Sequence, residues 1–111
     1  MTHPIEKNAI IENIEIRIED HGLLTAWLRL DYGDGGHQGF GGFAFYNKNF
    51  ENSDRAGKFI QSILRVAGVS KWEDLPGKAV RARATLTGVS AIGHILNDDW
   101  FTPSEELRGK P

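Results

Sequence analysis

Four histidines, fifteen carboxylates and three tryptophans are the side chains with which this 111-residue chain could do chemistry. His21, His37 and His94, with Asp20, Asp31, Asp34, Asp98 and Asp99, are metal-ligand types. None falls in a His-Glu-x-x-His spacing that would put two ligands on one helix face. Asp31-Tyr32-Gly33-Asp34-Gly35 lacks the alternating acids and distal Glu of an EF-hand loop. Polar turns account for these residues more simply, so no metal or cofactor is expected. With no cysteine there is no thiolate nucleophile, disulfide or Cys-ligated zinc. No Gly-x-Ser-x-Gly elbow occurs. Glu19-Asp20 and Asp98-Asp99 fall at expected turns, where solvated carboxylates are ordinary. His94 shares its parity with Ile92 and Leu96, which fits a hydrogen-bonded core histidine or a base in a cleft. The structural role is the simpler, and no catalytic residue or enzyme class is assigned.

The glycine-rich segment carries two partial motifs. Gly39-Phe40-Gly41-Gly42-Phe43-Ala44 matches the letters of a dinucleotide fingerprint, but that motif needs a helix N-terminus directly after it. Aromatic strand residues follow instead. Gln38 to Phe45 also matches in part the RNP1 strand of RNA-recognition domains, with one inserted glycine and Gln at the basic position. That fold requires a helix between its first two strands, and here the connection is too short. A generic stacking surface of Phe40, Phe43 and Phe45, worth about 1–3 kcal/mol per base, remains as one reading. The other places these rings in the core, where a chain of this size needs them.

Charge is unevenly placed. Residues 1–54 sum to −5, residues 55–83 to +5 and residues 84–111 to −2. The basic middle can meet a polyanion, or pair with the acidic segments within the fold or between copies in a homo-oligomer. Arg55, Lys58 and Arg65 fall on the outer side of an expected helix. Arg81 and Arg83 share the polar face of an expected strand. Trp27 lies on the polar side of another, and Trp with Arg on an exposed sheet face suits a protein interface.

The elements that must position these residues follow from periodicity. Ile10, Ile14, Ile16 and Ile18 alternate with Asn13, Glu15 and Arg17, predicting a strand with Glu12 breaking the apolar series. Asp20-His21-Gly22 reads as a turn into a second strand, Leu24, Ala26, Leu28 and Leu30 against Thr25, Trp27, Arg29 and Asp31. Phe40, Phe43, Phe45 and Tyr46 predict a third, with a bulge at Gly41-Gly42. Ala56, Phe59, Ile60, Ile63, Leu64 and Ala67 recur at helical spacing, and Gly68 stops the helix. Ser70 and Glu73 have capping-box spacing, predicting one helical turn before Pro76-Gly77. Val80 to Leu86 and Val89 to Leu96 give the fourth and fifth strands. Trp100-Phe101 is expected to pack back before Pro103. Residues 1–8 and 104–111 read as loose termini, with room for one helical turn at Ser104–Leu107.

The expected fold is therefore one α+β domain over residues 1–111, a five-stranded antiparallel sheet with one main helix on one face, in the order β-β-β-α-β-β. At 40% apolar and 25% charged residues the composition is that of a globular domain, not a disordered chain. No apolar run reaches the roughly 18–20 residues that cross a bilayer, so no membrane is expected. Met1 to Lys7 lacks a basic patch followed by an apolar stretch, so no secretory signal is expected.

Across nearly the whole chain a further pattern stands out. Asp20-His21-Gly22, Leu30-Asp31-Tyr32-Gly33, Gln38-Gly39-Phe40-Gly41-Gly42, Gly68-Val69, Trp72 to Lys78, Ile92-Gly93-His94-Ile95-Leu96 and Trp100-Phe101 resemble a set of small proteins encoded in tailed-phage and prophage genomes. The resemblance implies a bacterial cytoplasmic setting and a phage accessory role, and carries over no catalytic residue. The leading expectation is a non-enzymatic module binding a host or phage protein through Trp27, Arg81 and Arg83. The alternative is single-stranded nucleic-acid binding through Phe40, Phe43 and Phe45 with Arg55, Lys58 and Arg65.

Overall fold

Alternating apolar residues and one amphipathic helical period set the elements found in the computed structural model, which describes residues 3–19, 22, 24–42 and 55–107. They are β1 (Ile5–Ile18), β2 (Leu24–Asp31), β3 (His37–Gly41), α1 (Arg55–Ala67), β4 (Ala79–Thr85), β5 (Gly88–His94), β6 (Trp100–Phe101) and α2 (Pro103–Glu106), with a 3-10 turn at Trp72–Asp74. The fold is α+β, an open antiparallel sheet with one main helix. Among the described residues the sheet has six strands rather than five, in the order β3-β2-β1-β4-β5-β6. The added strand is Trp100-Phe101, which forms a ladder with Gly93 and Ile92. Two residues are too few for periodicity to mark. Residues 5–8 are strand rather than loose terminus, because β4 offers them an edge from Ala84 to Arg81.

β1 organises the sheet. Its first half pairs with β4, from Ile5↔Ala84 to Ile10↔Ala79, and its second half with β2, from Ile10↔Asp31 to Ile18↔Leu24. A bulge between Ile11 and Asn13 shifts the alternation by one residue. Ile11 is therefore fully buried and Ile10 faces out at 44% exposure, against the expectation that Ile10 points inward. After the bulge Ile14, Ile16 and Ile18 share the side of Leu28, Ala26 and Leu24 as expected. Ile16 and Ile18 remain exposed, so α1 does not cover that end of the inner face.

The order β3-β2-β1-β4 is a Greek key, with the long return from β3 to β4 carrying α1. The sheet coils strongly. β3 and β5, separated by three strands in the order, come within 8 Å of each other, Cα to Cα, and Gln38 Nε2 donates to the Thr85 carbonyl at 2.9 Å.

α1 lays Phe59, Ile63 and Val66 on the inner face, where they meet Leu28, Phe40, Val80, Ile92 and Phe101. Phe40 stacks on Phe59 at 5.7 Å, and Phe101 stands edge-on to both. Such pairs add about 0.5–1.5 kcal/mol each beyond the area they bury. Gly68 ends the helix at φ 75°, with the Val69 N–H reaching back to the Leu64 carbonyl. The turn at Trp72–Asp74 forms, but Ser70 does not cap it; Lys71 holds that position without a side-chain bond. No helix among the described residues is long and apolar enough to cross a membrane.

Candidate functional site

On the outer face of β2, Trp27 stands opposite Glu15 of β1 and Gly41 of β3. Arg29 stands opposite Asn13 and Gly39, and Asp31 opposite Ile10 and His37. The glycines of β3 shape this face. A Cβ on Gly39 would lie 3.3 Å from the Trp27 ring, and one on Gly42 would fall inside it. A side chain at Gly42 would bar the indole from this place, while one methyl at Gly39 would only touch it, so the close approach rests chiefly on Gly42. Trp27 stays 39% exposed. Among the described residues no cation or second ring stacks on its free side. Trp27, Arg29, Glu15, Asn13 and Gly39 line a shallow concavity of about 410 Å³.

The bulge in β1 supplies the rest of the site by aiming Glu12 outward. Glu12 Oε1 lies 3.0 Å from Arg29 Nε, which donates to it, and 3.0 Å from His37 Nδ1. Asp31 Oδ1 accepts the Gly33 N–H at 2.8 Å. Ligand atoms of Glu12, Asp31 and His37 all lie within 4.8 Å of one another. These are the types a divalent cation uses, although the Arg29 guanidinium already sits on Glu12. On the other side of Trp27, Arg17 pairs with Glu19 at 3.3 Å and Glu15 at 3.6 Å.

The structure disperses several residues that the sequence grouped. Trp27, Arg81 and Arg83 share the outer face but form no single patch. Trp27 is opposite residue 15 of β1 and Arg81 opposite residue 8, a separation of roughly 23 Å at about 3.3 Å per residue. Arg81 and Arg83 instead stack on Trp100, with guanidinium carbons 4.9 and 3.9 Å from the ring centre. Both approach Glu6, at 3.6 and 3.8 Å. Arg81 also donates to the carbonyls of His94 and Asn97. Phe40 is 1% exposed, which removes it from any stacking surface; Phe43 and Phe45 lie outside the described residues. On α1, Arg65 bridges to Asp99 at 3.2 Å, and Arg55 and Lys58 are also engaged. The basic residues are thus spread over two regions and largely satisfied within the fold.

His94 is a turn-holder, its Nδ1 accepting the N–H groups of Leu96 and Asn97 at 3.0 Å each. Sequence reasoning missed the grouping of Glu12, Arg29 and His37. The available signal was Glu12 itself, a charge interrupting an apolar alternation, which is how a bulge reads in sequence. Compared with protein-family models, with curated proteins and with solved structures, the chain matches none.

Proposed function

We propose that the protein is a non-enzymatic binding module that holds a single strand of nucleic acid on the outer face of β1, β2 and β3. The observation that carries this reading is the indole of Trp27, seated on glycine, 39% exposed and with no cation or second ring on its other side among the described residues. A base stacked on such a platform gains about 1–3 kcal/mol, largely independent of its identity. The connectivity supports the same reading by analogy. A Greek key with a helix in the β3–β4 return and β5 curling toward β3 resembles a partly open OB-type barrel, and OB domains bind oligonucleotides on strands 2 and 3. Arg29 and Arg17 flank the indole at about 7 Å along the strands, two residues to either side. Among the described residues Arg29 is paired with the exposed Glu12, and Arg17 with the exposed Glu15 and the half-buried Glu19, and these surface ion pairs can be exchanged for phosphate.

A titration with short oligothymidylate should quench tryptophan emission, and Trp27→Ala should remove the quench while Trp72 and Trp100 remain. Two phosphate contacts give a log–log salt slope of about −1.4. No quench at roughly 100 μM strand, equivalent to about 5–6 kcal/mol of binding, overturns the reading.

The acids on this face favour a second occupant. Glu12, Glu15, Glu19 and Asp31 outnumber Arg17 and Arg29, and a protein partner anchored on Trp27 suits that balance. For that reading the oligonucleotide titration is silent, and a purified partner binds wild type but not Trp27→Ala.

A further inference from the structure

Where β3 approaches the β4–β5 hairpin, the coiled sheet leaves a cavity of about 300 Å³. Its floor is a chain of hydrogen bonds, Tyr32 Oη to Gln38 Oε1 at 2.5 Å and Gln38 Nε2 to the Thr85 carbonyl at 2.9 Å. Its rim is apolar and unusually bare, with Ile5 62% and Leu86 97% exposed. Lys7 lines it with His3 and His37, and among the described residues no carboxylate does. The Lys7 ammonium lies 4.3 Å above the Tyr32 ring. Asp34 reaches it from the adjacent turn at 3.6 Å, with a side chain 61% exposed. Barrel mouths are a usual place for ligand pockets, and apolar walls with a few converging polar groups are their usual make-up.

His37 belongs both to this cavity and to the polar cluster beside Arg29. A strand stacked on Trp27 and running past Arg29 therefore arrives at the cavity mouth. We infer that the cavity takes a further nucleotide of that strand, its ring between Ile5 and Leu86 and its phosphate on Lys7 in place of Asp34. This rests on the nucleic-acid reading of the Trp27 face. It explains a leucine left in water at the tip of a hairpin. It also explains a lysine held by a carboxylate that leaves at little cost, since an exposed ion pair is worth little. Lysine serves phosphate as a point charge.

The test is the fluorescence anisotropy of end-labelled hexathymidylate on the full chain. Leu86→Ser, at a site too exposed to affect folding, and Lys7→Gln should each weaken binding about five-fold, the scale of one lost apolar or phosphate contact. Asp34→Asn should tighten it about two-fold by freeing Lys7, a gain that a merely structural carboxylate would not give. Dithymidylate, too short to reach from Trp27 to the cavity, should bind all three variants as it binds wild type. If Trp27→Ala weakens hexathymidylate but Leu86→Ser, Lys7→Gln and Asp34→Asn leave it unchanged, the cavity assignment is overturned and the Trp27 face stands. If wild type does not bind hexathymidylate, both fall.

Discussion

Two indoles lie across glycines of a neighbouring strand, and they are finished differently. Trp100 rests on Gly93, where an added Cβ would stand 2.6 Å from the ring. Its other side is roofed by the guanidinium groups of Arg83 and Arg81, themselves anchored by Glu6 and by backbone carbonyls. Trp27 rests on Gly39 and Gly42 in the same way, with no roof among the described residues. Glycine under tryptophan is therefore not itself a mark of function in this sheet. The covered indole closes the outer side of the β5–β6 edge, as Phe101 closes its inner side. The open one presents a ring face that no described residue covers.

The largest effect that would break this comparison is at Gly93. Gly93→Ala should drive the indole off the sheet and cost about 3 kcal/mol, at the upper end of overpacking effects, read as a lower urea midpoint. A change below about 0.5 kcal/mol, the level of an ordinary surface substitution, would mean that Trp100 is not seated there. The paired truncations sharpen the contrast. Trp100→Ala should cost about 2–3 kcal/mol, less than a fully buried aromatic, and leave oligothymidylate affinity unchanged. Trp27→Ala should cost about 1 kcal/mol of stability and lower affinity at least ten-fold, about 1.4 kcal/mol. Equal effects of the two variants on binding would erase the distinction. Gly39→Ala comes next. The added methyl meets the indole at 3.3 Å on ordinary backbone, so stability should change by about 0.5 kcal/mol or less.

The smallest effect concerns acid. The Gly36 N–H, and then Lys7, hold the Asp34 carboxyl below its ordinary value of 3.8. A depressed carboxyl stabilises the fold above that ordinary value and loses its contribution as pH falls through the lowered one. Asp34→Asn should therefore be slightly less stable than wild type at neutral pH and indistinguishable from it in strong acid. A difference that grows as pH falls would reverse the sign.

The helix, its stop at Gly68 and the alternation of β2 and β4 were legible because each is a local period with buried residues on one side. The third-strand glycines were readable as a close backbone approach, though not which ring approaches. Phe40, weighed between core and surface, is resolved by Phe59 and Phe101, two residues from distant parts of the chain. Trp27 was marked as outward-facing from parity alone. Its grouping with Arg81 and Arg83 failed because parity gives the face of a sheet and not the position along it. That position is set by how β1 divides itself between β2 and β4.

The sequence by itself determined the main helix and most of the strands, though not residues 5–8 or Trp100-Phe101, since those it determined depend on neighbours two to four places away. The bulge at Glu12 escaped it, because one inserted residue puts Ile10 before it and Ile14 after it on opposite faces. Only the tertiary structure decided that Glu12, Arg29 and His37 meet, that Arg81 and Arg83 are spent on Trp100, and that no described residue stacks on Trp27. Those outcomes depend on register between strands remote in the chain, and no local period carries that information.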